Sequence, residues 1–208
     1  MGDFGTVLQT PGVEEVCRLR GSVGFMAYHG GNLELMTDVI ARRAAETSGA
    51  SLYAVMQPDG VREHFPSTTV DRASSAALGR FLDHVEIVIT VHGFGRRGMF
   101  GSLLLGGQNR EFATHVGSTL RTHLPAYEII TDVDAIPSQL RGMHDRNPVN
   151  LPVHRGVQIE LPPRVRGTSP LWWDWEGPGL TPHTESLIDG LAQAASTWMT
   201  TRGRSDSR

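Results

Sequence analysis

The chain reads as an α/β protein, a single sheet with helices packed on both faces. Two observations predict this. Short β-leaning runs alternate along the chain with segments of helical spacing. One of the runs, Ile87, Val88, Ile89 and Val91, is apolar without alternation, as a central strand covered on both sides requires. A length of 208 residues suits one domain, with its core expected over about 13–200. A chain of that size buries roughly 70% of the surface its unfolded form exposes, so it needs no covalent staples.

Taken in order, Val13 to Arg20 alternates loosely and is expected as an edge strand. Val23 to Tyr28 follows as a β-run ending in a tight loop at His29-Gly30-Gly31. Thr37 is a suitable N-cap, with Asp38 in the first turn of a helix reaching Thr47. Its apolar side carries Val39, Ile40, Ala41 and Ala44, and Gly49 closes it. Leu52 to Met56 is a short buried strand stopped by Pro58-Asp59-Gly60. Ala73 to Asp83 is a helix, with Ala77, Leu78, Phe81 and Leu82 at helical spacing. The central strand then runs from Glu86 to Val91 and ends at His92-Gly93. A strand from Ser102 to Leu105, a helix from Arg110 to Leu124 and a strand from Tyr127 to Asp132 follow. The loop from Asp134 to His154, rich in Pro, Arg and Asn, is long enough to expect a functional role. Gly156 to Leu161 is the last strand and Glu185 to Thr201 the closing helix, with Trp172, Trp173 and Trp175 expected to pack over the sheet edge between them. The polar tail 201–208 is expected to fray.

Composition excludes several classes. A net charge of −3 argues against general nucleic-acid binding. All 19 basic residues are arginine, so any anion site here uses a guanidinium fork suited to carboxylates or phosphates. The lone Cys17 rules out a disulfide framework or a cysteine-rich metal cluster. No apolar run approaches the length of a membrane span. The first residues lack a basic region leading into an apolar one, so the default expectation is the cytoplasm. The glycine-rich stretch from Gly93 to Gly107 has neither a Walker lysine nor a dinucleotide fingerprint, and no Gly-x-Ser-x-Gly elbow is present.

Sites in open α/β sheets gather beyond the carboxyl ends of the strands, where His29 and His92 both fall. Glu34 follows His29 across the Gly30-Gly31 turn. Two histidines and a glutamate are ligands that hydrolytic zinc sites use, with the fourth position left to water. The plain alternative is a pair of loop histidines satisfied by backbone carbonyls. Alternation puts Glu160 and Gln158 on one strand face and Val157, Ile159 and Leu161 on the other. A carboxylate among such neighbours is costly unless paired or used, so Glu160 is a base unless it faces the surface or is neutralised by a nearby arginine. Arg96 and Arg97 follow His92, Arg110 follows Gly106-Gly107, Arg141, Arg146 and Arg155 populate the long loop, and Arg164 and Arg166 follow Glu160. Any one alone suits a solvated surface, but several around one metal would form a pocket for an anion.

The ordered set His29-Gly30-Gly31-Asn32-Leu33-Glu34, Val91-His92-Gly93, Leu105-Gly106-Gly107, Asn147-Pro148-Val149-Asn150 and Gly156-Val157-Gln158-Ile159-Glu160-Leu161 resembles the poly-γ-glutamate hydrolase family. That family includes phage enzymes that cut γ-linked polyglutamate and is related to the zinc carboxypeptidases. The resemblance spans about 25–166 and implies an open, mixed, zinc-carboxypeptidase-like sheet. It implies one catalytic zinc on His29, Glu34 and His92, with Glu160 as general base. Substrate contacts are then expected from Arg110, Arg146, Asn150, Arg155 and Arg166, with Arg110 or Arg155 at the oxyanion. Phage members place an arginine directly after the second asparagine of the fourth motif. Leu151 stands there in this chain, so Arg155 or Arg146 is expected to substitute. The implied reaction is hydrolysis of a γ-glutamyl or similar acidic amide. The alternatives on the same fold are an amidase acting on cell-wall peptides and a non-catalytic metal- or anion-binding protein.

Overall fold

The structure, a computed structural model, describes residues 2–205, with side chains to 198. Its strands are β1 (Glu14–Arg18), β2 (Val23–Gly31), β3 (Ser51–Gln57), β4 (Ile87–Gly93), β5 (Ser102–Leu105), β6 (Glu128–Ile130) and β7 (Gly156–Leu161). Its helices are α1 (Phe4–Leu8), α2 (Thr37–Ser48), α3 (Ala76–His84), α4 (Arg110–His123) and α5 (Pro182–Ser205). The strands form one seven-stranded sheet in the order β1-β3-β2-β4-β7-β5-β6. The inner strands β3, β2, β4 and β7 run parallel, β1 is antiparallel to β3, and β5 is antiparallel to β7 but parallel to β6. The sheet is therefore mixed, and no helix among the described residues is long and apolar enough to cross a membrane.

Strand β4 lies between β2 and β7, where its unalternating apolar run can bury both faces. Ile87, Ile89 and Val91 pack with Ile40, Phe112 and Leu191 of α2, α4 and α5, and Val88 with Phe4 and Phe81 of α1 and α3. Each such side chain contributes about 1.5–3 kcal/mol by leaving water. The edge strand β1 presents Glu14, Glu15 and Arg18 to solvent, charges that discourage further strand pairing.

Local chemistry moves several boundaries. Helix α1 is too short to show a period in the sequence, yet it buries Phe4 and Val7. Helix α2 is capped by Met36 in the left-handed region (φ 75°), so Thr37 is its first helical residue and turns its hydroxyl back to the carbonyl of Glu34 at 2.8 Å. Helix α3 starts three residues later than its spacing suggests. Asp71 caps a separate 3-10 turn over Arg72–Ser74, and the Ser75 hydroxyl caps the helix by accepting from the Leu78 N–H at 3.0 Å. The stretch 134–154 is ordered by 3-10 turns at Val133–Ala135, Ser138–Leu140 and Pro148–Asn150. Trp172 and Trp175 meet edge to face with ring centres 6.2 Å apart, but Trp173 does not join them. Trp172 donates to the Arg164 carbonyl and sits edge-on to His183, whereas Trp173, just past the 3-10 turn Pro170–Trp172, is 78% exposed. Residues 201–205 of the expected tail continue α5, and 206–208 lie outside the described residues.

Candidate metal centre

Strand register decides which side chains meet. Pairing of β4 with β7 sets His92 opposite Glu160 and Thr90 opposite Gln158. A slip of one residue would turn Glu160 to the other face. In β2 the register against β3 passes from Ala27↔Ala54 to Gly30↔Met56, so β2 carries one extra residue there. Regular alternation would put His29 with Phe25 and Ala27, facing α2, α4 and α5. The bulge instead leaves Tyr28 and His29 on the same face as His92. The His29 ring centre is 4.7 Å from that of Phe65 and 5.0 Å from that of His92. His29 and His92 thus stand inside the ends of β2 and β4 rather than in loops.

The turn after His29 returns Glu34 to it. The Glu34 N–H donates to the His29 carbonyl at 2.9 Å, and the Gly31 N–H to Asp38 Oδ1 at 3.1 Å. Gly31 has φ 65°, and a Cβ there would lie 2.2 Å from the Gln57 carbonyl oxygen, so no other residue fits. Glu34 Oε1 then lies 2.9 Å from His29 Nδ1, and Oε2 lies 3.2 Å from His92 Nδ1 and accepts from the Gly93 N–H at 2.8 Å. Ligand atoms of the three residues all fall within 4.8 Å of one another.

These residues fit a cation. His29 Nε2 is 3.0 Å from the Phe65 carbonyl, which can only accept, so Nε2 carries the proton. In the neutral ring Nδ1 then turns its lone pair on a carboxylate oxygen, and two acceptors face each other unless a proton or a cation lies between them. His92 Nε2 lies 3.0 Å from the Tyr28 hydroxyl, which fixes the orientation of that ring. Outer partners of this kind orient metal-binding imidazoles.

The three groups act strongly on one another's protonation. Burial lowers the His29 pKa and keeps the ring neutral, with Glu34 opposing. Burial would lower His92 too, but the charge and hydrogen bond of Glu34, with help from Glu160, raise it. Burial pushes the Glu34 carboxyl up, yet His92 and His29 overcome this and hold it well below the usual carboxylate range. Glu160 is only 4% exposed, and its burial pushes the carboxyl up to about 7 against the pull of His92. Gln158 Nε2 donates to Glu160 Oε1 at 2.9 Å.

A cavity of about 480 Å³ opens over the triad and is also lined by Arg62, His64, Gln158 and Glu160. Space of about 380 Å³ adjoins it past His64 towards Arg141, and about 340 Å³ adjoins it past Arg62 towards Arg166. Arg62 and His64 were not legible as site residues, because they follow the Pro58-Asp59-Gly60 turn with no periodic pattern. The alternation that flagged Glu160 also put Gln158 beside it.

Most of the expected substrate contacts lie elsewhere. Arg110 spends its guanidinium on the carbonyls of Gly107 and Leu105, both at 2.9 Å, and of Thr131, clamping the ends of β5 and β6. Arg155 precedes β7, at the end of the sheet opposite Glu160, so neither residue reaches an oxyanion at the triad. Arg146 is exposed and lines none of the three cavities. Asn150 is buried, with its amide donating to the Gly142 and His144 carbonyls and its oxygen accepting from the Gln108 N–H. Only Arg166 approaches the site. It donates to the carbonyls of Leu35 at 2.6 Å and Leu161 at 3.1 Å, and a Cβ on Gly93 would meet its Cζ at 2.8 Å.

The mixed sheet and the group at the carboxyl ends of its strands define an α/β protein with a candidate metal centre. The chain belongs to the poly-gamma-glutamate hydrolase family, whose model matches residues 9–169. Its fold is similar to that of a bacteriophage poly-gamma-glutamate hydrolase, with 20% identity, a TM-score of 0.75, and coverage of 91% of this chain and 90% of that one. It is also similar to YNDL in its zinc-free form, with 17% identity, a TM-score of 0.70 and 88% of each chain covered. No curated protein sequence matches the chain.

Proposed function

We propose that the protein hydrolyses an amide bond in a γ-glutamyl or similar acidic substrate, with zinc held by His29, Glu34 and His92. The observation that carries this is the pair of imidazole Nδ1 atoms turned on one carboxylate, with Glu160 opposite His92 on the adjoining strand. The likeness to YNDL, described in a zinc-free form, supports the choice of metal. When bound, zinc supplies Lewis acidity, which acidifies water and polarises a carbonyl.

The chain's own residues do the rest. Glu160 takes a proton from the attacking water as the new C–O bond forms. It returns that proton to the amide nitrogen as the C–N bond breaks, so acid and amine leave with the proton balance closed. Burial raises this carboxyl in the metal-free site while a bound cation would lower it, and the two opposed influences suit a group that must both take and return a proton. Arg62, between the central cavity and the one reaching Arg166, is the cation available for a substrate carboxylate.

The test is elemental analysis of the purified protein together with assays on poly-γ-glutamate, γ-glutamyl amides and peptidoglycan fragments. The expected result is near-stoichiometric zinc, and turnover on the γ-glutamyl substrates that a chelator abolishes. Zinc-free protein with full turnover, or cleavage confined to peptidoglycan, would overturn the proposal.

A further inference from the structure

We infer that Gln158 is a positioning residue that assigns the two oxygens of Glu160 different tasks, and that Asn147 sets the direction of Gln158. The inference rests on the hydrolytic reading above and deepens it. Asn147, Gln158 and Glu160 are each 4% exposed and form a hydrogen-bonded row. Its polarity starts from a group that cannot reverse. The backbone N–H of Val149 donates to Asn147 Oδ1 at 3.2 Å, so the asparagine must turn its Nδ2 the other way. That Nδ2, a donor only, reaches Gln158 Oε1 at 2.9 Å. Gln158 is therefore left with Nε2 towards Glu160 Oε1 at 2.9 Å and the Leu140 carbonyl at 3.3 Å. Flipping either amide would set acceptor against acceptor and donor against donor among side chains only 4% exposed, where unmatched groups are expensive.

The chemical consequence is specific. Glu160 Oε1 is a permanent acceptor, so a proton taken up by Glu160 resides on Oε2. Uptake from water and delivery to the amine then use the same oxygen, and the carboxyl does not have to rotate between the two transfers. Leu140 and Asn147 belong to the stretch after β6, so that segment orients the base as well as bordering the cavity towards Arg141. The Asn-Pro-Val-Asn motif thus acts behind the base, through Asn147.

The experiment makes Gln158→Met and Asn147→Ser, each in the wild-type and Glu160→Gln backgrounds. It measures kcat and KM on poly-γ-glutamate, bound zinc, and thermal unfolding of the metal-free proteins at pH 8. Gln158→Met is expected to lower kcat about 10–100-fold, in line with a misplaced catalytic group, with KM within about twofold. Asn147→Ser, which never touches Glu160, is expected to lower kcat by a smaller factor. Both are expected to keep their zinc and to have no further effect once Glu160 is glutamine. Equal losses in the two backgrounds, or a rise in KM alone, overturn the inference. If the wild type cleaves no γ-glutamyl substrate, the hydrolytic reading is what fails, and unfolding still decides the positioning. Loss of the Gln158 donor makes the Glu160 carboxylate harder to bury, so Glu160→Gln must then raise Tm more beside Gln158→Met than alone. An equal rise overturns it. Should Gln158→Met not fold, Asn147→Ser carries the same comparison.

Discussion

Replacing Glu160 by glutamine is expected to lower kcat about 10²–10⁴-fold, leaving a measurable residual rate, and to make the metal-free protein more stable. The Glu160 carboxyl is buried and held at about 7 instead of its ordinary 4.5. A carboxyl with a raised pKa resists ionisation in the fold more than in the unfolded chain. Its penalty is therefore absent below about pH 4.5, grows from there to about 7, and is complete above that. At about 1.4 kcal/mol for each pKa unit, the full penalty is ~3 kcal/mol. Glutamine has the same shape, still accepts from Gln158, and carries no charge to bury. For a chain of this size, ~3 kcal/mol corresponds to roughly 6–12 °C in Tm. The assay is thermal unfolding of chelator-treated wild type and Glu160→Gln at pH 8 and pH 4.5, with kcat measured on the zinc-loaded proteins. The variant is expected to melt higher at pH 8 and equally at pH 4.5, and added zinc is expected to shrink the gap by stabilising the carboxylate. The same Tm difference at both pH values, or a variant that melts lower at pH 8, would refute the reasoning. So would Glu160→Gln retaining the wild-type kcat.

Other expectations follow from the same geometry. His29→Ala and His92→Ala each remove an imidazole from the triad, and elemental analysis is expected to find zinc lost from both. Tyr28→Phe removes only the hydroxyl beside His92 Nε2, so competition with a chelator is expected to show zinc affinity reduced about 10–100-fold but not abolished. Arg62→Ala is expected to raise KM for an acidic substrate about tenfold with kcat little changed, the size of one charged contact of ~1.4 kcal/mol. Arg110→Ala strips charged donors from three backbone carbonyls, and denaturant titration is expected to show a loss of at least ~3 kcal/mol. Turnover per folded Arg110→Ala molecule is expected to stay unchanged, and a selective loss of kcat would place Arg110 at the chemistry after all.

Much of the architecture was legible because it rests on local rules. An unalternating Ile-Val-Ile run has only one comfortable place in a sheet, the middle, and β4 occupies it. His29, Glu34 and His92 were legible as a group because each histidine precedes glycine at a strand end and Glu34 follows a turn that only glycine can make. The arginines were not legible, because a guanidinium on a long side chain serves a carbonyl, a surface or a substrate with equal ease. Arg110 took carbonyls, Arg155 fell at the wrong end of β7, and Arg62, flanked by no pattern, reached the cavity.

By itself, the sequence determined most of the longer elements, the central strand and the candidate donors, since periodicity, turn chemistry and residue type are properties of short stretches. Tertiary structure alone decided that these donors meet. It did so through the β4–β7 register that sets Glu160 opposite His92, and through one extra residue in β2 that turns His29 onto their face. It also settled the direction of the amide row from Val149 to Glu160, which starts from a backbone N–H far along the chain from His29. Register and side-chain orientation come from pairings between distant segments, so no stretch of the sequence carries them.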